Sequence, residues 1–145
     1  MPVENATPAQ GGVVEVRLPP TARAPSQARG ALGSLRGEVQ PEVFEALQLL
    51  VSELVSNAVR HARVNQETHD PIELRVEAGP DGVRTAVTDP GSGFRVPHGG
   101  PRPKGAAGWG LYLVDRMADR WGVSADGTTR VWFEIDHPTS TEPGA

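Results

Sequence analysis

The chain has 145 residues, 37% of them hydrophobic and 22% charged, with a formal net charge of −4. That length and composition support one domain with a buried core and argue against wholesale disorder. The absence of cysteine excludes disulfides, thiolate metal sites and cysteine nucleophiles, while an acidic balance without a Lys/Arg cluster disfavours nucleic acid as a partner.

The opening MPVENATPAQGG lacks the basic and apolar regions of a secretory signal, and no apolar run is long enough to span a membrane. A soluble cytoplasmic protein without a membrane partner is therefore expected. Residues 1–12 and 137–145 carry little to bury and read as disordered tails around one domain over 13–136. Val14, Val16 and Leu18 alternate with Glu15 and Arg17, predicting a first strand that stops at Pro19-Pro20. Ser26 is placed to cap a short helix through about Leu35, weakened by Gly30 and Gly33. A long helix starts at Pro41, and Val43, Leu47, Leu50, Val51, Leu54, Val55, Ala58 and Ala62 give it one apolar stripe.

Ile72–Glu77 and Val83–Val87 alternate around the turn Gly79-Pro80-Asp81-Gly82 and predict an antiparallel hairpin. After Asp89 comes a long Gly- and Pro-rich loop, of a length that is usually functional inside a compact domain. A further helix begins near Gly110 and runs to Trp121-Gly122, with Gly122 as its C-terminal cap. Val123–Ala125, a turn at Asp126-Gly127, and Thr128–Ile135 predict a closing hairpin. The order β-α-α-β-β-loop-α-β-β indicates an α+β two-layer sandwich, with helices on one face of a mostly antiparallel sheet.

Three groups of polar residues exceed what packing needs. Glu53, Asn57 and His61 follow one another at intervals of four along the edge of the apolar stripe. A carboxamide there supplies one neutral oxygen to Mg²⁺, which keeps waters and borrows ligands from phosphates, and a carboxylate one turn away can accept a proton. Ordinary solvated helix residues are the alternative. Asp89-Pro90-Gly91-Ser92-Gly93-Phe94 ends a strand with an acceptor-only carboxylate suited to an exocyclic amine such as that of adenine. Gly91 and Gly93 let the backbone approach a flat base; a plain strand-end turn is the alternative. Gly105–Leu111 opens a helix with glycine-rich backbone, a candidate anion cradle that is neither a Walker loop nor a dinucleotide fingerprint. Each signal is weak alone, but they occur in a fixed order, each where nucleotide chemistry needs it.

In combination they resemble the GHKL superfamily of ATP-binding domains, which includes gyrase, histidine kinases and mismatch-repair ATPases. The nearest likeness is to the stand-alone bacterial anti-sigma-factor serine/threonine kinases and their actinobacterial relatives. ELVSNAVRHA (Glu53–Ala62) matches the asparagine box, VTDPGSGF (Val87–Phe94) the first glycine box, and GAAGWGLYLVDRMADRWGV (Gly105–Val123) the second. TTRVWFEI (Thr128–Ile135) matches the terminal strand. The resemblance implies a Bergerat-type fold binding ATP and Mg²⁺, with Asn57 on the metal and Glu53 as the base. It implies that Asp89 receives the adenine amine, Gly91 and Gly93 shape the pocket floor, and Gly108, Gly110 and Leu111 sit by the phosphates. Thr129, with Thr128 as the fallback, assists Asp89 through water. His61 is assigned beside the phosphates or to structure; Lys104 and Arg102 are candidate γ-phosphate partners, with solvated loop charges as the alternative. Pro97, Pro101 and Pro103 in the lid depart from the usual pattern and point to a stiffer or differently hinged closure.

At this length a self-contained histidine kinase is not expected, and regulation is expected to arrive through a partner. The resemblance implies a serine/threonine kinase that phosphorylates a small protein antagonist of the anti-anti-sigma type, with a sigma factor and a second copy as further expected partners. The alternative is a non-catalytic ATP-binding module whose nucleotide state gates a protein contact, and slow ATP hydrolysis is a third option.

Overall fold

In a computed structural model, residues 12–65, 70–89, 109–125 and 128–138 are described. Five strands form one antiparallel sheet: β1 (Gly12–Leu18), β2 (Ile72–Gly79), β3 (Gly82–Asp89), β4 (Arg120–Ala125) and β5 (Thr129–Asp136), in spatial order β1-β2-β3-β5-β4. Among the described residues, three helices, α1 (Ala24–Ala31), α2 (Pro41–Asn65) and α3 (Trp109–Met117), complete an α+β sandwich in chain order β1-α1-α2-β2-β3-α3-β4-β5. No helix among the described residues is long and apolar enough to cross a membrane.

The layers follow from side-chain period. Val14, Val76, Thr85 and Phe133 share one row of the inner sheet face, and Leu74, Val87 and Val131 share the next. Against them α2 lays Val43, Leu47, Leu50, Val51, Leu54, Val55 and Ala58, all buried. α1 flanks α2 over β1, contributing Ala24 and Ala28, and α3 lies on the other side with Leu111 and Val114 buried. Thr85 is a lapse in this apolar surface: its hydroxyl is fully buried without a hydrogen-bond partner among the described residues.

The outer sheet face is a charge ladder. Arg75 bonds to Glu77 and Glu15, both at 2.6 Å; Arg84 pairs with Glu134 at 3.2 Å, and Arg120 reaches Glu134 at 2.6 Å and also Asp136. Hydrogen bonds to Glu77 and then Glu15 raise the Arg75 guanidinium pKa above its ordinary value, and Asp136 and Glu134 do the same for Arg120. These pairs are exposed, so each contributes little to stability. Their clearer effect is to give this face a balanced, polar surface.

Two expected boundaries are corrected. α1 begins at Ala24, with Pro25 in its first turn, and Ser26 is no cap: its hydroxyl donates to the Arg23 carbonyl at 3.1 Å. The segment Leu32–Leu35 tightens into a 3-10 turn, followed by a turn in which Gly37 takes φ 95° and the Glu38 N–H bonds to the Leu35 carbonyl at 2.8 Å. The third helix stops at Met117, and Gly122 is an interior residue of β4, not a helix cap. The Asp119 N–H leaves the helix to bond to the Glu134 carbonyl at 2.8 Å, starting the ladder in which Trp121 faces Phe133. A Cβ at Gly122 would lie 2.7 Å from Nε1 of Trp132, its partner across the ladder, so the indole packs directly on the glycine. The loop after Asp89 and the turn at Asp126-Gly127 lie outside the described residues.

Candidate functional site

Strand parity and helix phase bring three polar side chains together. Along β3, Thr85, Val87 and Asp89 point to the helix layer, so the apolar inner face ends on a carboxylate that is 6% exposed. Thr129, the first residue of β5, is registered opposite Asp89 and is 2% exposed. Directly paired residues on adjacent antiparallel strands carry neighbouring side chains, so carboxylate and hydroxyl stand side by side at one end of the sheet. From above comes Asn57, 4% exposed, on the same face of α2 as Leu54 and Ala58.

Leu54, Asn57, Ala58, Val87, Asp89, Thr129 and Val131 line one narrow cleft between α2 and the sheet. Its walls are apolar, and three buried polar groups converge in it. Wider concavities lie on the outer face among Glu15, Arg17, Glu73, Arg75, Ala86 and Arg130. They are troughs between the charged side chains of that face.

The Asn57 carboxamide has a definite orientation. Its oxygen accepts a hydrogen bond from Nη2 of Arg60, one turn further along α2, while its Nδ2 is buried without a partner among the described residues. Arginine only donates, which assigns the oxygen to that side. No cluster of three or more His, Asp or Glu side chains able to hold a metal ion exists among the described residues. The Asn57 oxygen is a single neutral donor of the kind a hydrated divalent cation accepts beside water and phosphate.

Of the residues singled out in sequence, Asn57, Asp89 and Thr129 come together in the pocket. Glu53 is half-buried one turn before Asn57 and does not line it. Leu111 is buried near the start of α3, where Gly110 is a helical residue. The backbone of His61 continues α2, with its side chain outside the described set; Gly91, Gly93, Lys104 and Gly108 lie outside the described residues altogether. Sequence reasoning missed the hold of Arg60 on Asn57, which the i, i+3 spacing on one helix could have signalled.

A helix laid over an antiparallel sheet, with carboxamide, carboxylate and hydroxyl buried at their seam, is the framework of this domain. The chain belongs to the histidine kinase-like ATPase domain family, whose model matches residues 18–135. Its GHKL-type fold is shared with the crystal structure of the RsbU and RsbW domains of Rv1364c from Mycobacterium tuberculosis, at a TM-score of 0.61 and 20% identity over 90% of this chain. The chain spans 34% of that longer chain. No curated protein matches its sequence. Membership in an ATPase-domain family implies ATP binding.

Proposed function

We propose that this protein is a serine/threonine kinase of the anti-sigma-factor type, transferring the γ-phosphoryl of Mg-ATP to a small protein antagonist. The observation that carries the nucleotide half of this reading is the convergence of Asn57, Asp89 and Thr129 on one cavity. The motif resemblance supports the kinase half. In this reading the Asp89 carboxylate accepts the exocyclic amine of adenine, with Thr129 beside it and Val87 and Val131 against the ring. The Asn57 carboxamide oxygen would hold Mg²⁺, which when bound neutralises charge on the phosphates. Glu53 takes the proton of the substrate serine as its Oγ forms a bond to the γ-phosphorus and the bond to the ADP oxygen breaks. Gly91, Gly93, Lys104, Gly108, Gly110, Leu111 and His61 complete the phosphate and lid side of the same assignment, on one domain over 13–136. A sigma factor and a second copy of the chain are the other proposed partners.

Incubation with labelled ATP and an anti-anti-sigma protein tests this directly. Glu53→Ala is expected to keep nucleotide affinity and to lose transfer by roughly 10²–10⁴-fold, the usual weight of a general base. Transfer at the wild-type rate in that variant removes Glu53 from the role. The half-buried position of Glu53 outside the pocket lining favours a second reading, an ATP-gated binding module without transfer. Intact-mass measurement separates the two, because only a kinase adds a phosphoryl group to the partner.

A further inference from the structure

The nucleotide reading leaves one contact unexplained. The carboxamide oxygen that a divalent cation would need is already engaged by a cation of the protein itself, the guanidinium of Arg60. Arg60 is half-buried, and no ion pair to a carboxylate accompanies this bond among the described residues. Its positive charge is therefore directed at a neutral oxygen at the pocket edge, while the amide nitrogen of the same group is buried and unmatched. That nitrogen cannot replace the oxygen as a metal ligand, because an amide NH₂ only donates. Turning the amide over would set two donors, the NH₂ and the guanidinium, against each other. A metal ion and a guanidinium on one carboxamide oxygen would repel across a partly dry site.

We propose that Arg60 and the divalent cation are alternative occupants of Asn57 Oδ1, so that Arg60 is a built-in stand-in for the metal. The inference rests on the nucleotide reading above. Metal binding must first break the Arg60 hydrogen bond, and the benefit of the metal to nucleotide affinity is reduced by that loss. The coupling between metal and nucleotide is thus set partly by a residue one turn away from the metal ligand. Removing the guanidinium frees the oxygen and makes nucleotide binding depend more steeply on metal.

The experiment is calorimetric titration of a non-hydrolysable ATP analogue into the full chain, once in excess Mg²⁺ and once in EDTA, for wild type and Arg60→Met. Methionine keeps the length and helix propensity of the position, and Arg60→Gln serves if the first variant does not fold. The ratio of affinities with and without Mg²⁺ is expected to rise about tenfold in the variant, the weight of one charge-assisted hydrogen bond. An unchanged or smaller ratio, with wild-type binding intact, overturns the stand-in role and leaves the nucleotide reading in place. A wild-type chain that binds the analogue under neither condition overturns both.

Discussion

Asp89→Asn is expected to weaken ATP binding by roughly 10–100-fold while leaving the fold intact. The carboxylate is 6% exposed, at the dry end of a strand, and the pocket lining offers no other anionic acceptor. Replacing it with a neutral group of the same shape removes one charge-assisted hydrogen bond, worth about 1.5–3 kcal/mol in such surroundings. The neighbouring side chains need not move, because asparagine fills the same volume. Titration calorimetry measures the loss, and an unchanged melting temperature separates it from misfolding. Wild-type affinity in this variant would mean that the purine lies elsewhere.

The largest effect on stability is expected far from the pocket, at Gly82→Ala. Gly82 opens β3 with φ 151°, and a Cβ there would lie 2.1 Å from the carbonyl oxygen of Ile135 and 2.8 Å from Cα of Asp136. Both obstacles are backbone of the neighbouring strand, so no side-chain rotation relieves them. Either the β2–β3 turn changes conformation or β5 moves away, and β5 carries Thr129 at its far end. Backbone strain and overpacking together are expected to cost roughly 2–4 kcal/mol. The shift of the urea midpoint measures it, and a variant within 0.5 kcal/mol of wild type, the scatter of about that size at ordinary surface positions, contradicts the assigned turn geometry.

The contrast between these two sites shows where sequence was a sufficient guide. Asp89 and Asn57 were legible because both break a strong pattern: a strand face reading Thr85, Val87, Asp89, and an apolar helix stripe with an amide set into it. Alternation also carried the hairpin and its turn at Pro80-Asp81, and the long helix followed from its apolar spacing. The end of α3 was not legible, because Met117, Ala118 and Trp121 continue a helical spacing as readily as they start a strand. The decision was made by β5, whose Glu134 carbonyl captures the Asp119 N–H and whose Trp132 covers Gly122. Such partners are remote in sequence, and a local pattern holds no record of them. Ser26 misled for a local reason: its hydroxyl donates back to the Arg23 carbonyl, while Thr21 Oγ1 accepts from the Arg23 N–H at 3.2 Å.

The pocket is built into the hydrophobic core and is not set apart from it. Its apolar walls are core residues in the ordinary sense, and its polar groups stand on the last row of the inner sheet face and on α2. Leu54 and Ala58 fix the phase of Asn57 on α2, and the β3–β5 register fixes Asp89 against Thr129. Stability and ligand geometry thus depend on the same packing.

The most direct measurement is an amide NMR titration of the wild-type protein with Mg-ATP. The account predicts that the largest shifts fall on the Asn57 side chain and the backbone of Asp89 and Thr129, while Glu73, Arg84 and Trp132 on the outer sheet face stay unchanged. Shifts concentrated on that outer face, or none at millimolar nucleotide, would contradict it.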